Sequence, residues 1–278
     1  MADTRGAVHN SNRIFFAPGA YSLVGGGMVL AVLALAIVGF FWTSYEPNAV
    51  DFIHRFAPPR ADHLLGTDGY GRDILSRVMA SAWKSVSFGL GSTAVALAGS
   101  IPFALAAVYW PRRVATIIMV VTDALVAIPL LVFSLLVIVA IGVGHTQSIF
   151  AVGLGAAPRF LRVILGAALD AATQEYVAAA RARGETALYI QYREILPNIL
   201  SPIIVEASLF IGLAIMAGGA LSYLGLGTQP PDADWGVMIH DGQRTIEKTW
   251  WPLLAPSLAM LLAIVGFNFL GEGLRDDL

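Results

Sequence analysis

Apolar runs close to twenty residues long recur along the whole chain, and nothing else restricts its fold as much. At 1.5 Å per residue each is long enough to cross the hydrocarbon core of a bilayer as a helix. Six can be drawn, roughly over 22–42, 85–110, 114–141, 146–165, 201–224 and 251–271. None alternates apolar and polar residues as a membrane barrel strand does. The first differs from a secretory signal, because its apolar stretch is long and lacks a small-residue cleavage site. With 57% hydrophobic and only 13% charged residues, the composition lies outside the range of a soluble globular domain. The reading is all-α: a polytopic transmembrane helical bundle of about six spans. Residues 1–21 are a cytoplasmic N-terminal segment, and 22–278 form one membrane domain without linker or internal repeat.

Basic residues set the expected orientation. With the N-terminus inside, the inner segments hold Arg5, Arg13, Arg112, Arg113, Arg159, Arg162, Arg181, Arg183, Arg193 and Arg275. The outer ones hold Arg55, Arg60, Arg72, Arg77, Lys84, Arg244 and Lys248. The excess is modest and in the direction of the positive-inside rule, which places both termini in the cytoplasm of a cell membrane, the inner one in a Gram-negative host. The outer segment 43–84 carries HLLGTDGYGRDILSR, whose glycines imply turns, and Asp73 and Arg77 form an opposite-charge pair on a short surface helix. The outer segment 225–251 ends in Trp250 and Trp251, read as an interfacial anchor. No cysteine is present, so neither disulfides nor thiol chemistry arises.

The inner loop at about 166–200 stands out, because EYVAAARARGETALYIQYREILP is charged yet lies between two strongly apolar spans. Residues 174–183 have helix-forming composition, with Glu175 at the start and Arg181 and Arg183 at the end, as the helix dipole favours. Gly184 stops this helix. A second runs from Glu185 to Leu196, limited by Pro197. On it Leu188, Tyr192, Ile195 and Leu196 follow i, i+4, i+7, i+8 spacing and make one apolar face. Such a helix suits a groove on a cytosolic partner, and it equally suits the lipid headgroups. Pattern alone leaves both readings open.

Charges within spans are costly and tend to be functional. Asp123 and Glu206 are the candidates. Asp123 lines the pathway, or else caps a helix or pairs with Arg112, Arg113 or a neighbour. Glu206 lines the pathway or pairs at a subunit interface. Asn268 in the last span is expected to make an interhelical hydrogen bond. The Gly-rich stretches 212–227 and 89–99 read as close helix packing. An intramembrane enzyme lacks support: H-E-x-x-H, G-x-S-x-G and paired intraspan aspartates are all missing from the sequence. His9, His54, His63, His145 and His240 are scattered, which disfavours a metal site. Nothing points to nucleic acid. There is no G-x-x-x-x-G-K-[ST], so this chain has no loop to cradle ATP phosphates.

The loop is similar to the EAA loop of ABC-importer permeases, through Ala179, Ala180, Gly184, Leu196 and Pro197. More narrowly, the chain resembles the dipeptide/oligopeptide/nickel permeases, in the DppC/OppC-like subunit. The resemblance runs from about residue 58 to 278. It rests on HLLGTDGYGRDILSR (63–77), Asp123 with Pro129, EYVAAARARG (175–184) and ILPNILSPIIVEA (195–207), followed by ALSYLGLGTQPPDADWG (220–236) and FNFLGEGLRDDL (267–278). Three departures stand. Ala178 occupies the position where the family expects its glutamate; relatives often carry a glutamate near Gly218, where this chain reads AGGA; and the chain ends at RDDL where relatives run slightly longer.

The resemblance implies a type I importer permease (MetI-like) fold and a transport subunit that is not an enzyme. It implies a heteromeric complex with a paralogous DppB/OppB-like permease, two DppD/DppF-like ATPases that bind the ATP and magnesium, and an extracytoplasmic substrate-binding protein. No cofactor is implied for this chain itself. ATPase coupling would fall to Glu175, Ala179, Ala180, Gly184, Glu185, Leu188, Tyr192, Ile195, Leu196 and Pro197. The solute expected from the family is a di- or oligopeptide, with nickel, glutathione and opine-type solutes as alternatives. A self-sufficient secondary transporter or channel is the rival reading, and it has no need of a docking loop.

Overall fold

A computed structural model describes residues 19–110 and 112–277. The N-terminal segment up to residue 18, with Arg5 and Arg13, lies outside the described residues, as do Leu278 and the side chains of Arg112 and Asp277. In chain order the helices are α1 (Ala20–Phe41), α2 (Ile74–Ala107), α3 (Arg112–Val126), α4 (Leu130–Ile141) and α5 (His145–Ala171). There follow α6 (Glu175–Ala182), α7 (Ala187–Tyr189), α8 (Leu196–Asn198), α9 (Leu200–Tyr223), α10 (Trp235–Gln243) and α11 (Trp251–Asp277). A π-helical stretch, Ile190–Ile195, joins α7 to α8. Among the described residues there is no β-strand.

Five helices, α1, α2, α5, α9 and α11, are long and apolar enough to span a membrane alone. The sixth expected span, 114–141, is not one helix. It divides into α3 and α4, bent by 93° across 127–129. Pro129 is the cause: it has no N–H to give, and its ring excludes helical backbone at Ile128. Its own backbone sits at φ −56°, ψ 132°, outside the helix. Together α3 and α4 still carry the chain from one end of the bundle to the other.

One end gathers the segments 42–73 and 225–250 into a cap. Trp251 Nε1 donates to Thr67 O at 3.3 Å, Arg72 meets Asp241 at 3.5 Å, and Lys84 meets Asp232 at 2.5 Å. Trp251 is therefore a clasp within the cap, while Trp250 is exposed as an anchor would be. The other end holds the 172–199 loop, with the start of α1 and the end of α11 side by side.

The second span starts eleven residues earlier than its apolar run. Asp73 is the reason: its Oδ2 accepts from Ser76 N at 2.8 Å and Ser76 Oγ at 2.7 Å, capping the helix. His63 Nδ1 lies 2.9 Å from its other oxygen. The expected Asp73–Arg77 surface pair does not form. Arg77 is buried, bonds Pro47 O and Asn48 Oδ1, and faces Asp68 at 4.0 Å.

Because lipid tails are as apolar as the side chains, close van der Waals packing holds the spans together more than hydrophobic burial does. α2 is the central column. Phe88, Ala96 and Leu105 on it share one core with Val152 and Phe160 of α5 and Phe210 of α9. Phe160 meets Phe210 edge-on, ring centres 5.3 Å apart. α1 is held through small residues. A Cβ on Gly39 would lie 2.1 Å from Met79 O, and one on Gly25 would lie 2.3 Å from Leu270 N. Neither backbone can yield. Gly39→Leu should therefore separate α1 from α2 at a cost of at least ~1–3 kcal/mol, read as a lower unfolding midpoint in detergent. Gly26→Leu, where a Cβ meets nothing within 4 Å, should leave the midpoint unchanged.

Candidate functional site

The loop at 172–199 is packed over the ends of α2 and α5 that lie opposite the cap. α6 ends in a Schellman turn: Gly184 N donates to Arg181 O at 3.0 Å and Glu185 N to Ala180 O at 3.2 Å. That closure needs the left-handed backbone Gly184 adopts, φ +80°. Thr186 then caps the next segment, accepting from Tyr189 N at 3.3 Å. The helical reading of 185–196 is met in part. Its middle is π-helical, with Leu196 N donating to Gln191 O five residues back.

The wider turn changes which residues share a face. Four to five residues now separate equivalent positions, so Ile190, Ile195 and Ile199 point the same way and are buried. The expected face of Leu188, Tyr192, Ile195 and Leu196 is therefore split. Ile195 is 0% exposed and Leu196 is half-buried, whereas Leu188 is 68% and Tyr192 46% exposed. Tyr189, which the 3.6-residue period passes over, joins them on the outside.

Inward, Val177 and Ala180 of α6 join Ile190, Ile195 and Ile199 in one core with Leu105 and Ala107 of α2 and Ile164 and Ala168 of α5. Arg183 ties the two halves of the loop, 3.2 Å from Glu194 and 3.8 Å from Glu185. Arg181 lies over the Tyr109 ring at 6.0 Å. Burial, and then the Glu194 carboxylate, push the Tyr176 phenol up from its ordinary value, so it stays neutral. Outward the loop shows Glu175, Ala178, Ala179, Gly184, Leu188, Tyr192 and Pro197. Ala178, standing where the resemblance expects glutamate, is on this exposed side.

The intraspan charges are each paired, both with arginines of α5. Arg159 Nε lies 2.6 Å from Glu206 Oε1 on α9, and Arg162 Nη1 lies 3.2 Å from Asp123 Oδ1 on α3. The orientation count takes these arginines with the inner segments, although the span drawn over 146–165 contains them; they sit well inside α5. Asp123 thus pairs with a neighbour, Arg162 of α5. Asn268 does not bond another helix. Its amide donates to Ile264 O of its own helix at 2.7 Å, and its side chain lies against Gly212. Among the described residues no group of three or more His, Asp or Glu is placed to hold a metal ion.

Fold and site together define a multi-pass membrane permease with a rigid, partly apolar platform at one end. Residues 99–276 match the family described as binding-protein-dependent transport system inner membrane component. Relatives include a permease protein of Brucella suis, 37% identical over 256 residues that are 92% of this chain and 86% of that one. The di/tripeptide transport system permease protein DppC of Pseudomonas aeruginosa is 33% identical, covering 92% of this chain and 86% of its own. The dipeptide transport system permease protein DppC of Escherichia coli is 35% identical, covering 92% and 88%. In fold, the chain is similar to one from the inward-facing MetNI methionine ABC transporter, with a TM-score of 0.56 over 69% of this chain and 92% of that one, at 17% identity. The chain belongs to the family of binding-protein-dependent transport system inner membrane components, as a DppC-like permease of an ABC importer.

The two sides of the loop should answer differently to truncation. Ile195→Ala removes a fully buried side chain and should loosen the platform by ~2–5 kcal/mol, seen as faster tryptic cleavage at Arg181, Arg183 and Arg193. Leu188→Ala should leave that cleavage rate unchanged.

Proposed function

We propose that this permease pairs with a paralogous one to import short peptides, and that its 172–199 loop receives the ATPase. One observation carries the reading of the loop. Its inner face belongs to the same buried core as α2 and α5, while its outer face presents Leu188, Tyr189 and Tyr192 uncovered. A push on the outer face is passed to two spans without slack, because packed side chains do not deform continuously. A helix resting on headgroups would have no need of that rigid backing. The outer apolar residues are the knobs that would enter a groove on the ATPase, with Ala179, Glu185 and Pro197 around them. ATP and magnesium are then held by the ATPase chains, and an extracytoplasmic binding protein delivers the solute at the opposite, capped end.

In this reading the loop end faces the cytoplasm. The start of α1 and the end of α11 lie at that same end, so both termini are cytoplasmic. With Arg159 and Arg162 removed from the inner segments, the basic excess shrinks, and the orientation rests on the loop more than on charge. Short peptides are favoured as solute because the relatives' names specify dipeptides and di/tripeptides.

The test is co-purification with the neighbouring operon products in detergent. Gly184→Val forces a β-branched residue into left-handed backbone, a strain of ~1–3 kcal/mol, and should lower ATPase recovery about tenfold while membrane insertion persists. The double variant Leu188→Ala, Tyr192→Ala should do the same without backbone strain. ATPase recovery that is unchanged in both variants would rule the loop out as the coupling element. ATP-driven uptake of a labelled dipeptide by the purified complex tests the solute.

A further inference from the structure

The two arginines of α5 are the feature of the spans that the permease reading leaves unused. Arg159 is the fifteenth of the helix's 27 residues, near its midpoint. It is 49% exposed and Arg162 is 57% exposed. A guanidinium at such depth is costly against hydrocarbon, so this face of α5 looks onto water or protein. Gly166 continues the same stripe one turn further, and a Cβ added there would meet nothing within 4 Å. Glu206 is only 14% exposed and opens on a groove lined by Ser201, Pro202, Val205, Leu209 and Arg275. The stripe thus combines fixed charges of both signs with open space beside them.

Resting on the importer reading above, we propose that the Arg159–Glu206 pair is a transit site for solutes carrying both a carboxylate and an ammonium group. Arg159 takes the solute carboxylate and Glu206 its ammonium, as their mutual bond opens. One internal charge-assisted bond is exchanged for two external ones of the same kind, so neither partner is left bare in a low-dielectric setting. The exchange is close to balanced in free energy. That suits a pathway, where binding has to be strong enough for entry and weak enough for release. The neighbouring Arg162–Asp123 pair extends the polar wall across α3, and it positions the stripe without needing to open.

The chain has no cysteine, so a single introduced thiol is its only label site. In the purified complex, Gly166→Cys is compared with Leu30→Cys, an exposed apolar position midway along α1. A cationic, water-soluble methanethiosulfonate should modify Gly166→Cys at least about tenfold faster, since thiol reaction follows access. Equal rates would mean a dry face and overturn the proposal. Dialanine should slow the Gly166→Cys reaction, whereas dialanine amide should not, nor should N-acetyl-dialanine. Adding Arg159→Gln should abolish the dialanine protection, and Arg159→Lys should restore part of it. Glu206→Gln should remove the difference between dialanine and its N-acetyl form. Protection that is indifferent to these groups, or absent altogether, would overturn the assignment to zwitterions. ATP-driven dipeptide uptake by the Leu30→Cys complex is read separately, so loss of the importer reading is seen apart from loss of the site.

Discussion

Hydrocarbon gives a polypeptide no outside partner for a backbone amide or a charge, and the architecture follows from that one condition. Each crossing satisfies its backbone internally as a helix. Prolines stand inside three of the spans, at Pro102, Pro158 and Pro256, as membrane helices tolerate when other groups satisfy the freed carbonyls. The intraspan carboxylates Asp123 and Glu206 each have an arginine within 3.2 Å. Since burial of apolar surface adds little once the chain is in lipid, the spans are joined where small residues let backbones meet. Gly25 and Gly39 do this for α1, and the alanines of α2 and α5 do it at the centre.

The same packing turns the 172–199 loop, at the end opposite the cap, into part of the bundle. Its buried isoleucines continue the α2–α5 core, its first helix is closed by Gly184, and Arg183 bridges its halves. At the opposite end the cap is organised by carboxylates instead. Asp68 accepts from Tyr70 N and Arg72 N and pairs with Arg72, while Asp234 caps α10 and accepts from Ser222 and Thr228. One end is an apolar platform and the other a polar, hydrogen-bonded lid.

What could be read from the sequence, and what could not, divides along physical lines. Five spans were legible because a twenty-residue apolar run admits few other structures. The break at Pro129 was missed because hydropathy averages over the one residue that lacks an N–H. The early start of α2 was hidden by the polar composition of 74–84, although Asp73 followed by Ser76 was a usable capping signal. The loop was found, and its stop at Gly184 was right in place and kind. Its apolar face was drawn with a period of 3.6, and a π-helical turn has a longer one, so Leu188 and Tyr192 parted from Ile195. Arg159 and Arg162 count with the inner segments because basic residues near a span's end are normally taken there, although the span 146–165 contains both. Their carboxylate partners lie 47 and 39 positions away in sequence, on α9 and α3, a pairing that only the fold brings together.

The elbow between α3 and α4 makes one crossing depend on its neighbour. α4 has 12 residues and α3 has 15, about 18 and 22 Å of helix at 1.5 Å per residue. Neither half bridges a hydrocarbon core of about 30 Å by itself. Only the two together, as one bent pair, are long and apolar enough to cross. α4 finds its neighbour in α5, the next helix synthesised, and packs along it. α3 packs on the same helix, so both arms of the elbow are held by one span and the crossing they make is a property of three helices together.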